Sequence, residues 1–241
     1  MVKTMIERIY STDAYAKSMD AVVLESDRDD GRVLLDRTVF YPGGGGQPHD
    51  IGELLIGDDR LAVTQVAQDI KGVWHWLEGG LPKAGTPVVG EVDWERRYEL
   101  MRTHTAMHAM CGVIWHQFNS PVTGGNMKAG EGRLDFELPD WDPDERQPVE
   151  DELNRQLALA RDVEVSFLPR AEADADPSLI RTKINLLPPS LTEVRVIDIV
   201  GLDRQADGGT HVGSTAEVGS IKITKIESKG RGFRRIRFDV V

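Results

Sequence analysis

The sequence predicts an α+β protein in two parts: a β-rich first part forming a small barrel or a compact sheet, then a part mixing strands with two helices. Three observations predict this. β-prone runs separated by tight turns fill roughly the first ninety residues. After Asp93 the apolar period lengthens to about 3.6 residues. Beyond that point strand-like and helix-like segments follow one another without regular βαβ alternation, which makes the second part α+β. At about 150 residues per domain, 241 residues make one large domain or two small ones.

The elements can be justified in order. Val22–Glu25, Arg32–Tyr41, Glu53–Ile56, Leu61–Gln68 and Val73–Glu78 are the expected strands, with Asp-Asp-Gly, a glycine run, Gly-Asp-Asp and Asp-Ile-Lys-Gly as turns between them. Leu81–Pro87, reading LPKAGTP, breaks the pattern and is the expected boundary region. Asp93 is a good N-cap for a helix opening at Trp94. Leu100, Met101, Met107, Cys111 and Ile114 carry its apolar face to about Phe118, where Asn119, Ser120 and Pro121 end it. Arg133–Leu138 is a strand, and a second helix runs from Pro148 to about Arg161. Val163–Leu168 and Glu193–Val200 are strands, and Glu217–Ile226 and Phe233–Val240 form a closing hairpin across SKGRG.

Composition narrows the function. Hydrophobic residues make up 40% and charged residues 29%, enough apolar side chain for a core. No apolar run approaches the roughly 20 residues of a membrane span, and MVKTMIERIYSTDAY lacks the apolar stretch of a signal peptide. A cytoplasmic protein with no membrane contact is the expectation. A single cysteine excludes an internal disulfide framework and a Cys-only zinc finger. The net charge of −11 argues against coating nucleic acid through bulk charge. A local basic patch exists nonetheless: KITKIESKGRGFRRIRF, from Lys222 to Phe238, holds Lys222, Lys225, Lys229, Arg231, Arg234, Arg235 and Arg237 against Glu227 alone.

Six histidines are present. His104 and His108 stand four apart in the expected helix, about 40° apart on one face, and can chelate one metal ion. His116 lies about 12 Å further along the axis and is read as structural. His75, between Trp74 and Trp76, should point away from both indoles. In QADGGTHV the glycines let Asp207 and His211 converge on one point. With His104 and His108 they would make a tetrahedral N/O shell suited to zinc. Asp207 could instead orient a histidine or cap its own turn. Gly43–Gly46, directly after a strand, let a ligand or another backbone approach closely; no Gly-Lys-Ser/Thr follows, so this is not a P-loop.

Together FYPGGGGQPHD, RTHTAMH, TGGNMKAGEGRLDFEL and ADGGTHV, in that order, resemble the free-standing alanyl-tRNA editing proteins of the AlaX type, which are similar to the editing domain of alanyl-tRNA synthetase. The resemblance spans nearly the whole chain, and the glycine-rich segment looks like that of the medium-length subfamily. It implies a small β-barrel over 1–88 and an α+β zinc-dependent editing domain over 89–241. It implies deacylation in trans of tRNA(Ala) mischarged with serine, and with glycine. His104, His108 and His211 map onto zinc ligands, one Zn2+ per chain, while Asp207 stands where the family motif Cys-Gly-Gly-Thr-His has its cysteine. The nucleophile implied is a zinc-bound water. No glutamate sits between the two histidines as it does in His-Glu-x-x-His proteases, so no side-chain base is assigned.

The need for such an enzyme follows from energetics. An alanine-sized pocket rejects one added hydroxyl poorly, whereas a site that hydrogen-bonds the hydroxyl can select serine over alanine by about 10⁴. Thr38 is the first candidate partner, with Thr105, Gln47 and the backbone of Gly43, Gly44, Gly45 and Gly46. Lys229, Arg231, Arg234 and Arg235 are candidates to hold the acceptor stem by phosphate contacts. A monomer is favoured. The competing readings are a metal-free tRNA-binding module and a deacylase for another mischarged tRNA.

Overall fold

A computed structural model describes residues 6–180 and 191–241, and the chain divides into two compact units, Met1–Tyr98 and Glu99–Val241. In the first unit six strands close into an antiparallel barrel: β1 (Ser18–Asp27), β2 (Arg32–Leu35), β3 (Gly52–Ile56), β4 (Asp59–Gln68), β5 (Val73–Leu77) and β6 (Pro87–Val92). The order around the barrel is β1-β2-β5-β4-β3-β6 and back to β1. Val23, Val33, Leu35, Phe40, Leu54 and Val73 are among the residues that fill it. Burial alternates along β1, as a strand with one face on the core requires.

Two departures from the sequence reading have physical causes. The strand expected over Arg32–Tyr41 leaves the barrel after Leu35, where the Asp36 carboxylate accepts from Val22 N–H at 2.7 Å in place of a backbone carbonyl, and resumes at Arg37–Thr38, paired with Glu7–Arg8. The sixth strand, β6, went unread because Pro87 looks like a breaker; at the first position of a strand its missing N–H costs nothing.

Helix α1 (Trp94–Phe118) opens as expected, with Arg96 N–H donating to the Asp93 carboxylate at 3.1 Å. It ends at Asn119, whose φ of 51° is the left-handed stop of a helix. Its first turn counts with the first unit and the rest with the second.

The second unit holds two antiparallel sheets. Strands β7 (Val122–Lys128) and β8 (Glu131–Glu137) form a hairpin, followed by helix α2 (Arg146–Leu157). Strands β9 (Val163–Pro169), β10 (Glu193–Ile199) and β11 (Asp203–Ala206) form a three-stranded sheet in that order. Strands β12 (Ile221–Ser228) and β13 (Phe233–Val240) complete a four-stranded sheet, β12-β13-β8-β7. The strands β7 and β11 are additions to the sequence reading; Gly124–Gly125 inside β7 reads as a turn when only propensity is weighed. Strand β12 starts later than expected because Ser214 and Glu217 build a capping box around a short helical turn, Thr215–Val218. Among the described residues, no helix is long and apolar enough to cross a membrane.

Candidate metal centre

Helix α1 and the turn after β11 bring four donors together. One ligand atom each from His104, His108, Asp207 and His211 lies within 4.8 Å of the other three. The imidazole centroids are 5.0 Å apart for His104 and His108, 4.3 Å for His104 and His211, and 4.5 Å for His108 and His211. Helical periodicity places the first two rings on one face, where they meet edge to face. A strand, a tight turn and two glycines deliver the other two residues, and Arg195 holds that turn, its Nη1 donating to the carbonyls of Asp207 (3.1 Å) and Gly209 (2.7 Å).

The Asp207 carboxylate divides its work. Its Oδ2 accepts from Gly209 N–H at 2.5 Å and lies 3.3 Å from His211 Nε2, while Oδ1 lies 3.8 Å from His104 Nε2. The far sides of two rings are also held. His211 Nδ1 is 3.1 Å from Thr105 Oγ1, which also accepts from Val212 N–H, and the Thr210 backbone carbonyl accepts from the His104 ring. Thr105 is thus engaged by a ring of the cluster. Thr105, Thr210, Arg195 and Asp203 were not read as parts of this framework from the sequence; the available signal was polar residues at the inward positions of a strand, as at Asp203 and Gln205.

The electrostatics suit a cation. Burial first pushes the imidazoles below their ordinary range, His104 down, His108 to about 4 and His211 well down, with repulsion from neighbouring imidazoles adding to it at His108 and His211 and from Arg195 at His104. All three are therefore neutral near pH 7, with lone pairs available. Burial alone would raise the Asp207 carboxyl, but the surrounding imidazoles pull it well below the usual carboxylate value. Three neutral nitrogens and one anionic oxygen, shielded from water, form a donor set typical of zinc. Tetrahedral ligands about 2.0–2.1 Å from a centre stand about 3.3 Å from one another; His211 and Asp207 are at that distance, and the four donors lie within 4.8 Å, so the donor set fits such an ion after a small contraction.

The remaining candidates lie in both units. In the first unit Thr38 is fully buried, its Oγ1 2.8 Å from His75 Nε2 and accepting from Phe40 N–H at 3.0 Å. His75 faces Phe40 in an edge contact, and Arg32 lies over both Trp74 and Trp76. Gly43–Gly46 all adopt positive φ, from 58° to 131°, which only glycine takes up readily in succession. The loop closes with paired backbone bonds between Gly44 and Gln47. Asp50 accepts from Tyr41 N–H and is clamped by the buried Arg97 guanidinium.

In the second unit Arg235 is bound bidentately by Asp135 (2.7 Å to each oxygen), and Arg237 by Glu227. Among the described residues, Lys229, Arg231 and Arg234 have no ion-pair partner. Arg235 and Arg237 are thus neutralised on the sheet, while Lys229, Arg231 and Arg234, in and beside the turn, carry no such pair.

The sequence matches known proteins along nearly its whole length. Residues 194–237 match the family described as the threonyl and alanyl tRNA synthetase second additional domain, and residues 7–96 match class II (A) tRNA synthetases. The chain is 37% identical to the alanyl-tRNA editing protein AlaX-M of Methanosarcina barkeri, covering 98% of this chain and 100% of that one. It is 35% identical to AlaX-M of Saccharolobus solfataricus, over 98% of this chain and 99% of the relative. It is also 37% identical to the alanine–tRNA ligase of Pyrobaculum aerophilum, over 95% of this chain and 26% of the ligase.

Proposed function

This chain belongs to the AlaX-M alanyl-tRNA editing proteins, aminoacyl-tRNA deacylases, and on that premise we propose that it hydrolyses the ester of tRNA(Ala) mischarged with serine or glycine at a zinc site made by His104, His108, His211 and Asp207. The observation that carries the zinc reading is the convergence of three buried imidazoles and a carboxylate from two distant stretches of chain.

When bound, zinc supplies Lewis-acid polarisation of a carbonyl and acidifies water toward neutral pH. The chain's own part is to hold that centre. The imidazoles stay neutral because burial opposes their charging. Thr105 and Thr210 fix two ring orientations, and Arg195 keeps the Asp207–Gly209 turn in shape. Serine's hydroxyl needs a buried hydrogen-bond partner, and alanine would leave that partner unpaired; Thr38, Thr105, Gln47 and the Gly43–Gly46 backbone are the residues proposed for it. Lys229, Arg231 and Arg234 are the cations proposed to meet tRNA phosphates, Arg235 being already paired.

The test is hydrolysis of Ser-, Gly- and Ala-tRNA(Ala) by the pure protein, with and without chelator, alongside His108→Ala. Hydrolysis of the first two but not the third, abolished by chelator and by His108→Ala in a folded protein, is expected. Full activity of His108→Ala would refute the metal assignment.

A further inference from the structure

The rings of His104 and His211 each have a second group holding them, whereas His108 Nδ1 is buried with no hydrogen-bond partner. The carboxylate facing it is Asp203, whose Oδ2 lies 3.8 Å from that nitrogen and whose side chain is completely buried. The same oxygen accepts from Gln205 Nε2 at 2.5 Å, which helps to hold the carboxylate in place.

Helix α1 is shaped to admit it. One turn beyond His108 stands Gly112, where a Cβ would come within 2.8 Å of the Leu202 carbonyl oxygen and 3.0 Å of Asp203 Cβ. One turn further, His116 Nε2 lies 3.0 Å from that same carbonyl. Positions 104, 108, 112 and 116 form one stripe. Its first two members face the centre, the third leaves room for the incoming strand, and the fourth anchors that strand. This arrangement sets Asp203 beside His108.

We propose that Asp203 is a positioning residue of the metal centre: its carboxylate accepts the Nδ1–H of His108, which fixes the tautomer and turns Nε2 toward the ion. The proposal rests on the zinc reading above. Closing 3.8 Å to a hydrogen bond of about 2.8 Å needs a shift of about 1 Å, within the reach of a side-chain rotation. Such a carboxylate locks the ring and makes the ligating nitrogen more basic.

The experiment measures zinc affinity by competition with a chromophoric chelator for the full chain, Asp203→Asn and Asp203→Ala, with thermal melting of each. A roughly 10–100-fold weaker affinity for Asp203→Ala is expected, with Asp203→Asn, which keeps one acceptor oxygen, in between. Unchanged affinity in both variants, with only a lowered melting temperature, makes Asp203 a packing residue and overturns the proposal. Should the alanine variant fail to fold, Asp203→Asn and nitrogen-edited NMR of the zinc-loaded wild type decide. A His108 Nδ1–H signal protected from exchange supports the pairing, and its absence overturns it. A wild type that binds no zinc at all brings down the metal reading and this proposal with it, whereas tight wild-type binding with indifferent variants removes this proposal alone.

Discussion

Asp207 has two duties, and they pull its side chain toward different chemistry. One oxygen caps the turn through Gly209 N–H, which any carboxylate does well; the other points toward His104. A thiolate would be a softer and stronger zinc ligand but a poor hydrogen-bond acceptor. Asp207→Cys is therefore expected to bind zinc as tightly as wild type or more tightly in a chelator competition, while melting at a lower temperature. Asp207→Ala gives up both duties and should release zinc at chelator concentrations at least about tenfold lower. If Asp207→Cys binds zinc as wild type does and Asp207→Ala does too, Asp207 is a turn residue only.

The β12–β13 hairpin combines neutralised and open charge, and the difference can be measured. Replacing Lys229, Arg231 and Arg234 together by Ala should weaken tRNA binding. It should also reduce the slope of log affinity against log salt by about one for each phosphate that these cations neutralise. Arg235→Ala and Arg237→Ala should change that slope little, because Asp135 and Glu227 already occupy them. Equal slopes for both sets would place the RNA elsewhere. The hairpin itself was legible because its strands alternate and SKGRG is a strong turn. The pairing of Arg235 with Asp135 was not: it joins residues a hundred apart whose proximity depends on the register of β8 against β13. The same holds at the metal centre. His104 and His108 are related by helix geometry, and His211 follows a glycine turn, so local rules expose them. Asp203, Thr105 and Arg195 act through partners that only the folded sheet and helix bring near. Element boundaries failed where a side chain replaced a backbone partner, as Asp36 does at the end of β2.

Across the whole molecule, buried histidine sets the response to acid. His75 sits in the barrel interior with its pKa lowered by burial from 6.5 to about 4, and the three cluster imidazoles are lowered as well. A depressed folded value means that the unfolded chain takes up more protons as pH falls. Stability from these groups is complete above about pH 6.5 and is lost as pH drops toward 4. His75 alone accounts for on the order of 3 kcal/mol of that loss. Urea unfolding between about pH 7 and 4 should show a steep decline in wild type, and His75→Gln should be less stable near pH 7 yet shallower by about one proton; a parallel curve would count against a neutral buried His75.

The barrel carries one more consequence, for where the chain can be cut. Strand β6 pairs with both β1 and β3, so the cylinder is complete only once Val92 is included. A fragment ending before Pro87 would present two rows of bare amide and carbonyl groups, open templates for a neighbouring polypeptide. Such a fragment should clump in solution, whereas one extending through Val92 keeps every barrel seam shut.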